Sequence, residues 1–541
     1  MAQDRRVADG RRGCGSTFRR LAVVLALALG LPAAAHAAGG APAIACADLA
    51  KAAMPGATVT AVQAYAAGEY KLPSNRPEPP GMSLTGRYQH RESPAFCRVS
   101  LTLAPSADSA IRMEVWLPTS GWNGKFLGVA NFGWGGSLMY DGMFNGVLEG
   151  YAAASNDTGH DGSGPDGQGG RFSLGHPEKV IDYAYRADHD MTVDAKAIIK
   201  AFYGSGPVRS YFIGCSLGGL EGLIEAKRYP ADYDGIVAGA PPNPLTTFNA
   251  AQLWPSYLVS QDPSRMMPEA KYALVHDAVL KACASPIGQA QGLVEQPDLC
   301  RFDPVALQCK GADAPDCLTA PQVFLMRSFY RGPVDPRTNT VIFPGPARGS
   351  ELGLYDFANG KPFTNALDLY RYTVFQDADW ESAKMDWDKD VKTAIAKVGP
   401  LLDVDSDLKP FLARGGKLLM YIGWNDYHNP EQLIDYYKAL IKTAGPASRG
   451  SVRLFTIPGM NHCLGGAGCD TFSKLGVIDA WVDQGQVPER IVAAKIEKFR
   501  VVRTRPLCAY PMVARYMGKG DANDAASFDC VAAAKAVEAR G

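Results

Sequence analysis

Three side chains in this sequence have the types and the chain order of a nucleophilic triad. Ser216 lies in a Gly-x-Ser-x-Gly pentapeptide, and Asp426 and His462 follow it at long intervals. A serine hydroxyl is a weak nucleophile until a histidine takes its proton, and a carboxylate orients that histidine. The sequence therefore predicts acyl-transfer chemistry with Ser216 as nucleophile, His462 as base and Asp426 as the residue that orients the base.

The pentapeptide lies between a predicted strand and a predicted helix. Residues 211–213 form a short apolar run, and residues 219–228 have helical spacing. Strand, tight turn and helix are the context of a nucleophile elbow, in which side chains at Gly214 and Gly218 would clash with neighbouring backbone. The alternative is an ordinary glycine turn. On the predicted helix, one apolar stripe is expected at Leu220, Leu223, Ile224 and the stem of Lys227.

The acid and the base each follow a predicted core strand. Residues 417–423 precede Asp426, and residues 452–457 precede His462. Because parallel strands end at the same edge of a sheet, these two side chains and Ser216 can converge. Rival candidates do not directly follow a core strand in the required order: His428 as base, and Asp403, Asp405 and Asp407 as acids.

Two further core strands are predicted, at residues 125–130 and 233–240. The first is followed by a glycine-rich stretch at residues 131–136. Such a loop, after an early strand, is where this kind of hydrolase places its second oxyanion-hole amide. A flexible loop without that role is the alternative.

The pattern changes between residues 244 and 400, where irregular stretches, four cysteines and many aromatic residues suggest a lid inserted over the sheet. We predict a signal peptide at 1–37, a first core part at 38–243, the lid at 244–400 and a second core part at 401–541. Six lid aromatics could line an aromatic-binding cleft or form the lid's own core: Phe363, Tyr370, Tyr372, Phe375, Trp380 and Trp387.

The N-terminus has the features of an export signal. Arginines precede an apolar run at residues 21–31, and Ala35 and Ala37 form a cleavage site, so the mature chain is predicted to begin near Ala38. Arg19 and Arg20 only weakly suggest the twin-arginine route, and an uncleaved anchor is the alternative. The apolar run is too short to span a membrane.

The net charge of the chain is zero, because Lys plus Arg and Asp plus Glu both number 55. Nucleic acid is therefore an unfavourable partner.

The cysteines support an oxidising compartment. Twelve are present, and removal of Cys14 with the signal leaves an odd number, so at least one thiol is unpaired or pairs with another chain. Their connectivity is open from the sequence. Cys215 and Cys463 adjoin Ser216 and His462, so a bond between them is expected if the triad assembles.

Several other polar residues are read as structural. Residues 155–162 contain Asp and His without recurring metal-ligand spacing, which favours a hydrogen-bonded loop over a metal site. His176 and His189 lie on or near a helix predicted to continue to Tyr203, and we expect them to be structural.

The Cys-Ser and His-Cys doublets, with Asp426 between them, resemble the tannase and feruloyl esterase family of α/β-hydrolases, which includes mono(2-hydroxyethyl) terephthalate hydrolases. Residues 122–126, 175–182 and 229–241 also match. The resemblance implies an α/β-hydrolase fold with a large inserted lid, hydrolysis of esters of aromatic acids, and an oxyanion hole from the amides of Leu217 and Gly133.

The resemblance also implies how the cysteines pair. It leaves Cys469 single and implies five disulfides: Cys46–Cys97, Cys215–Cys463, Cys283–Cys300, Cys309–Cys317 and Cys508–Cys530.

Two departures from the family pattern affect these expectations. The family carries an aspartate-rich calcium loop in the lid, whereas residues 283–292 here contain no aspartate. Because calcium affinity follows carboxylate count, we predict no metal or other cofactor at this stretch. Leu217 and Leu220 stand where polar residues are usual, which predicts a more apolar cleft floor.

The predicted function is a secreted or periplasmic serine esterase that forms an acyl-enzyme with a small aromatic ester substrate. Alternatives are terephthalate monoester hydrolysis, a catalytically silent hydrolase-like binding protein, and a peptidase on the same fold. The sequence leaves open whether the acyl group is ferulate, gallate or terephthalate.

Overall fold

A nine-stranded mixed sheet forms the centre of the fold. The computed structural model describes residues 40–52, 54, 56–72, 84, 86, 92–163 and 169–533. The strands of this sheet are β1 (Ala57–Tyr65), β2 (Phe96–Leu103), β3 (Ile111–Pro118), β4 (Lys125–Val129), β5 (Ala152–Asn156), β6 (Arg209–Cys215), β7 (Gly235–Gly239), β8 (Lys417–Gly423) and β9 (Val452–Ile457). Their order is β1-β2-β3-β5-β4-β6-β7-β8-β9.

The parallel half of the sheet positions the predicted chemistry. Strands β5, β4, β6, β7, β8 and β9 are parallel neighbours, whereas β1, β2, β3 and β5 pair antiparallel. The predicted strands at 417–423 and 452–457 coincide with β8 and β9. The strand predicted at 211–213 lies within β6. The strands predicted at 125–130 and 233–240 contain β4 and β7, respectively. The α/β architecture with a parallel core is therefore confirmed.

Helices cover both faces of the sheet and form most of the segment between β7 and β8. They are α1 (Tyr140–Leu148), α2 (Pro177–Ile181), α3 (Ala187–Tyr203), α4 (Leu217–Arg228), α5 (Leu245–Gln261), α6 (Glu269–Cys283), α7 (Pro286–Gln291), α8 (Ala320–Arg331), α9 (Tyr355–Ala358), α10 (Thr364–Asp368), α11 (Lys389–Leu402), α12 (Lys409–Ala413), α13 (Pro430–Ala444) and α14 (Lys474–Gln484). A π-helical turn at Asp182–Arg186 joins α2 to α3.

Helix α4 corrects one expectation. It begins at Leu217 rather than 219, and every residue from Leu217 to Ala226 is buried, including Glu221 and Glu225. The single apolar stripe predicted from the sequence was wrong, because the helix is covered on all sides. Its two carboxyl groups therefore belong to the protein interior.

The inserted segment, which we define as residues 244–400, is described throughout and contributes no strand to the large sheet. Its own apolar cluster includes Leu258, Tyr272, Val294, Met326 and Phe357. The six aromatics predicted for a cleft do not gather in one place. Tyr370, Phe375 and Trp380 stack on one another, and Trp387 packs edge-on against Trp254.

The chain ends in two hairpins, β10 (Arg490–Glu497) with β11 (Arg500–Cys508) and β12 (Met512–Tyr516) with β13 (Phe528–Ala532). The predicted signal peptide at 1–37 lies outside the described residues. Within the described part of the chain, no helix combines the length and apolar character needed to cross a bilayer.

Candidate active site

Ser216 stands on a strained turn between β6 and α4. Its φ of 63° and ψ of −125° lie where non-glycine residues are rarely found, and such strain persists only when surrounding structure imposes it. A Cβ at Gly214 would clash with Ala130, and one at Gly218 would lie 2.6 Å from the Asn131 carbonyl oxygen. The turn therefore needs both glycines, as the elbow pattern predicted, because Ala130 and Asn131 pass directly against it.

A continuous hydrogen-bond chain joins the three predicted residues. Ser216 Oγ lies 2.9 Å from His462 Nε2, and His462 Nδ1 lies 2.8 Å from Asp426 Oδ2. Asp426 is fully buried, and its other oxygen accepts the His428 backbone N–H at 2.8 Å. Both oxygens of the acid are thus held, which fixes the plane of the imidazole.

A disulfide joins the neighbours of the serine and the histidine. Cys215 and Cys463 are bonded, with their Cα atoms 6.0 Å apart and a sequence separation of 248 residues. This bond ties the loop after β9 directly to the elbow, as expected for an assembled triad.

The remaining cysteine pairs agree with those that the resemblance implied. Four further disulfides join described residues: Cys46–Cys97, Cys283–Cys300, Cys309–Cys317 and Cys508–Cys530. Cys469 is buried and forms no disulfide, again as implied. The first of these bonds links the segment before β1 to β2, the next two lie within the inserted segment, and the last joins β11 to β13. The structure therefore contains the same five pairs that the resemblance implied.

Leu217 and Gly133, the two residues expected to supply oxyanion-hole amides, line the cavity beside Ser216. Leu217 is the first residue of α4, so its N–H has no partner within the helix. Gly133 has a φ of 62° and lines the same cavity as Ser216 and Leu217. These are the two positions expected to form an oxyanion hole, and the geometry brings them to one cavity.

Glu221 fixes the loop that carries Gly133. One carboxyl oxygen of Glu221 accepts the backbone N–H of Asn131 at 2.8 Å. The Asn131 side chain donates to the Asn156 carbonyl at 3.0 Å, and Asn156 donates to Asp188 at 2.7 Å. Burial and the charge of Asp188 raise the pKa of the Glu221 carboxyl well above its ordinary value. A buried carboxyl group thus links α4 to the loop after β4.

The cavity at Ser216, which we call the active-site cavity, has about 430 Å³ of empty space when the part open to solvent is included. Its described lining residues are Gly133, Trp134, Tyr183, Ser216, Leu217, Pro242, Leu245, Phe248, Asn249, Gln252, Phe363, Asn365 and His428. Of the six lid aromatics named in the sequence, Phe363 alone is among them. Leu217 contributes to this wall as expected, whereas Leu220 is fully buried elsewhere in the core.

The ring of His428, the rival base, lies beside His462 without joining the hydrogen-bond chain, although the His428 backbone N–H donates to Asp426. Its ring centroid is 3.9 Å from that of His462, and neither ring nitrogen has a partner among the described residues. Burial and the neighbouring His462 lower the pKa of His428 well below its ordinary value. The rival acids are occupied elsewhere: Asp403 accepts from Thr246, Asp405 pairs with Lys227, and Asp407 accepts from the Lys409 amide.

Asp426, His428 and His462 are also the one group of three metal-ligating side chains found in the described part of the chain. Both nitrogens of His462 lie within hydrogen-bond distance of Asp426 or Ser216. An ion here would have to displace one of those bonds, so the arrangement fits a proton relay better than a metal centre.

The stretch that aligns with the family's calcium loop has a different construction. Ser285 caps α7 and donates its amide to Glu295 at 3.2 Å. The side-chain oxygen of Gln291 accepts from the Arg505 guanidinium at 2.7 Å. The positively charged guanidinium of Arg505 occupies the Gln291 oxygen, and the stretch has few side-chain oxygens. This construction does not fit calcium, which needs about six to eight oxygen ligands.

The polar loop at residues 155–162 has the hydrogen bonding expected for it. Asp157 pairs with Arg112 at 2.6 Å, and the His160 ring stacks on Phe172. His176 and His189 each contact an aspartate, Asp108 and Asp232. These contacts hold loops and helix ends, and none reaches Ser216.

Sequence reasoning missed Glu221 and Gln252. An acidic residue on a predicted amphipathic helix and a glutamine in an irregular insertion are both read as exposed. The position of Glu221, five residues after Ser216, was the available signal for its role near the site. Asn131, the hydrogen-bond partner of Glu221, is 90 residues away in sequence.

Comparison with known proteins gives the family. The profile described as tannase and feruloyl esterase matches residues 97–355 and 356–531. An uncharacterized esterase of Xanthomonas campestris is 34% identical, with 90% of this chain and 91% of that protein covered. A protein of Aspergillus oryzae named probable feruloyl esterase B-1 is 33% identical, with 81% and 84% covered.

The crystal structure of feruloyl esterase B from Aspergillus oryzae superposes with a TM-score of 0.80 at 31% identity, covering 90% of this chain and 99% of that one. The fold is therefore that of an α/β-hydrolase with a lid. The profile, the relatives and the fold agree, and the chain belongs to the tannase and feruloyl esterase family of carboxylic ester hydrolases.

Proposed function

We propose that this protein is an exported serine esterase that cleaves esters of aromatic acids through Ser216, His462 and Asp426. The observation that carries the proposal is the hydrogen-bond chain from Ser216 Oγ through the His462 ring to Asp426. The serine end of this chain lines a cavity that also contains aromatic side chains. The disulfides and the N-terminal signal pattern support export.

The reaction follows from the roles of these groups. His462 takes the Ser216 proton as Oγ attacks the ester carbonyl, and Asp426 stabilises the imidazolium that forms. The carbonyl oxygen becomes an oxyanion, which the Leu217 and Gly133 amides stabilise. The intermediate collapses as His462 protonates the leaving alcohol, which gives the acyl-Ser216 ester. Water, deprotonated by His462, then attacks that ester and releases the acid and free Ser216.

A fluorophosphonate probe tests the nucleophile. Wild type and the control Ser264→Ala, which changes an exposed serine, are expected to be labelled, whereas Ser216→Ala is not. Absence of label on folded wild type would support the silent binding protein instead. Activity abolished by EDTA and restored by a divalent ion would favour metal chemistry at Asp426, His428 and His462.

Substrate panels test the remaining alternatives. Methyl esters of aromatic acids should be hydrolysed, while peptides of matched aromatic residues should not. Cleavage of the peptides at comparable rates would identify a peptidase and overturn the esterase proposal.

A further inference from the structure

Side chains with unused hydrogen-bonding atoms line the far side of the active-site cavity. A second cavity adjoins the first, and Phe248, Gln252 and His428 line both. These three residues therefore form a partition between the two spaces. Gln252 is only 6% exposed, and its amide nitrogen has no partner among the described residues.

The neighbouring amide shows why Gln252 is different. Asn249, three residues earlier on α5, donates its amide to the Leu245 carbonyl at 2.8 Å. Gln252 has no such bond to its own helix. A buried donor without a partner destabilises the fold unless a ligand or water completes it, and donors of this kind mark positions where a ligand is recognised.

Helix α5 places this donor away from the reacting carbonyl. Leu245 begins the helix and lines the cavity with Ser216, whereas Gln252 lies seven residues further, or about 10 Å along the helix axis. Phe248, Phe363 and Gln252 line the same cavity as Ser216, so an acyl ring bound there would lie within the same space as the Gln252 side chain.

Charge is missing from both cavities. Among their described lining residues there is no Asp, Glu, Lys or Arg. An ionised carboxylate brought into this space would lose its hydration without gaining a counter-charge, which is far more costly than burying a neutral oxygen that receives a hydrogen bond.

We infer that Gln252 determines acyl specificity: its side-chain amide donates a hydrogen bond to a neutral oxygen substituent on the far end of the acyl ring, and the uncharged cavity rejects acyl groups that carry a free carboxylate. The inference rests on the proposed function and selects among the acyl groups that the sequence left open.

Two pairs of substrates isolate the two halves of the inference. Methyl ferulate and methyl cinnamate differ in ring oxygens, and dimethyl and monomethyl terephthalate differ in one charge. Each kcat/KM is divided by the alkaline hydrolysis rate of the same ester, which removes intrinsic reactivity. Wild type should prefer ferulate over cinnamate about tenfold and the dimethyl over the monomethyl ester about 100-fold or more.

Variants then assign the preference to one residue. Gln252→Leu should reduce the ferulate-to-cinnamate ratio about tenfold, and Gln252→Lys should raise the monomethyl-to-dimethyl ratio at least tenfold. Gln261→Leu, at the exposed end of the same helix, should leave both ratios unchanged. If Gln252→Leu fails to fold, Gln252→Asn, which withdraws the amide by one methylene, should lower the first ratio instead.

Equal loss on ferulate and cinnamate, or efficient hydrolysis of the monomethyl ester by wild type, would overturn the inference. Hydrolysis of methyl cinnamate dependent on Ser216 but without these preferences would refute the role of Gln252 and leave the esterase proposal intact. No hydrolysis of any ester and no probe on Ser216 would refute the proposed function itself.

Discussion

The active-site cavity has two walls that are built in opposite ways. On the side of the sheet edge, Ser216 lines the cavity, and hydrogen bonds of 2.9 and 2.8 Å join it to His462 and then to Asp426. A disulfide joins the neighbours of Ser216 and His462. On the wall from the inserted segment, apolar rings surround Gln252, whose donor is unpaired. With the proposed roles, the reacting groups are held in place by the protein, whereas Gln252 keeps a donor for the substrate to complete.

The largest effect on activity should come from replacing Asp426, the acid of the proposed triad. Asp426→Asn preserves shape but presents an amide to His462 Nδ1, which favours the wrong tautomer. We expect kcat to fall about 10⁴-fold with little change in KM. Steady-state kinetics on methyl ferulate measures this, and Asp405→Asn serves as the exposed control. A loss below tenfold would contradict the role of Asp426.

The Cys215–Cys463 disulfide should matter mainly for the stability of the fold. Replacing Cys215 and Cys463 together with serine removes a crosslink between residues separated by 248 positions. The chain-entropy treatment gives a loss on the order of 5 kcal/mol, and the other disulfides reduce it by constraining the unfolded chain. The control is the double replacement of Cys309 and Cys317 with serine, since that pair is separated by only 8 residues. Thermal unfolding compares the two variants, and equal destabilisation in both would contradict the expectation.

The loop that carries Gly133 should be sensitive to the buried Glu221. Glu221→Leu leaves the Asn131 N–H without an acceptor, so kcat should fall about tenfold or more as the oxyanion amide loses its position. Glu221→Gln keeps an acceptor oxygen and the neutral state that burial favours, so it should restore most activity. Kinetics together with the affinity for a boronic acid inhibitor measures this. A loss confined to Tm would indicate a purely structural role.

A smaller effect, on the pH dependence of stability, is expected from His428, which lines the active-site cavity beside His462. Its pKa is held below the ordinary value, so it remains neutral in the folded protein while the unfolded chain takes up a proton near pH 6.5. Its contribution to stability is present above that pH and lost as the pH falls, with a slope of at most about 1.4 kcal/mol per pH unit. Urea unfolding at pH 7.5 and 5.5 should show a weaker pH dependence for His428→Phe than for wild type. An unchanged dependence would contradict this assignment.

The smallest effect concerns residues 283–292 of the inserted segment and their contact with β11. Because Arg505 contacts Gln291 and residues 283–292 contain no aspartate, calcium should leave the melting temperature unchanged. Thermal unfolding with millimolar calcium and with EDTA measures this, with magnesium as the ionic-strength control. A rise of several degrees specific to calcium would show that a site exists.

Much of the sheet edge could be predicted because its signals are local. Apolar runs gave the bounds of β8 and β9, and the pentapeptide with its glycines identified the elbow. The antiparallel strands β1, β2 and β3 and the terminal hairpins were not predicted, since their alternating patterns gain meaning only through pairing. The burial of α4 was misjudged, because the elements that cover its second face are distant in sequence.

The sequence by itself determined the order Ser216, Asp426, His462 and the strands that precede them, because hydrophobic runs and turn residues act over a few neighbours. Only the tertiary structure decided that Glu221 accepts from the Asn131 amide and that the Gln252 side-chain nitrogen has no partner in the part of the chain that the structure describes. Whether a polar side chain is satisfied when buried depends on groups brought together from remote parts of the chain, and no local pattern encodes that pairing.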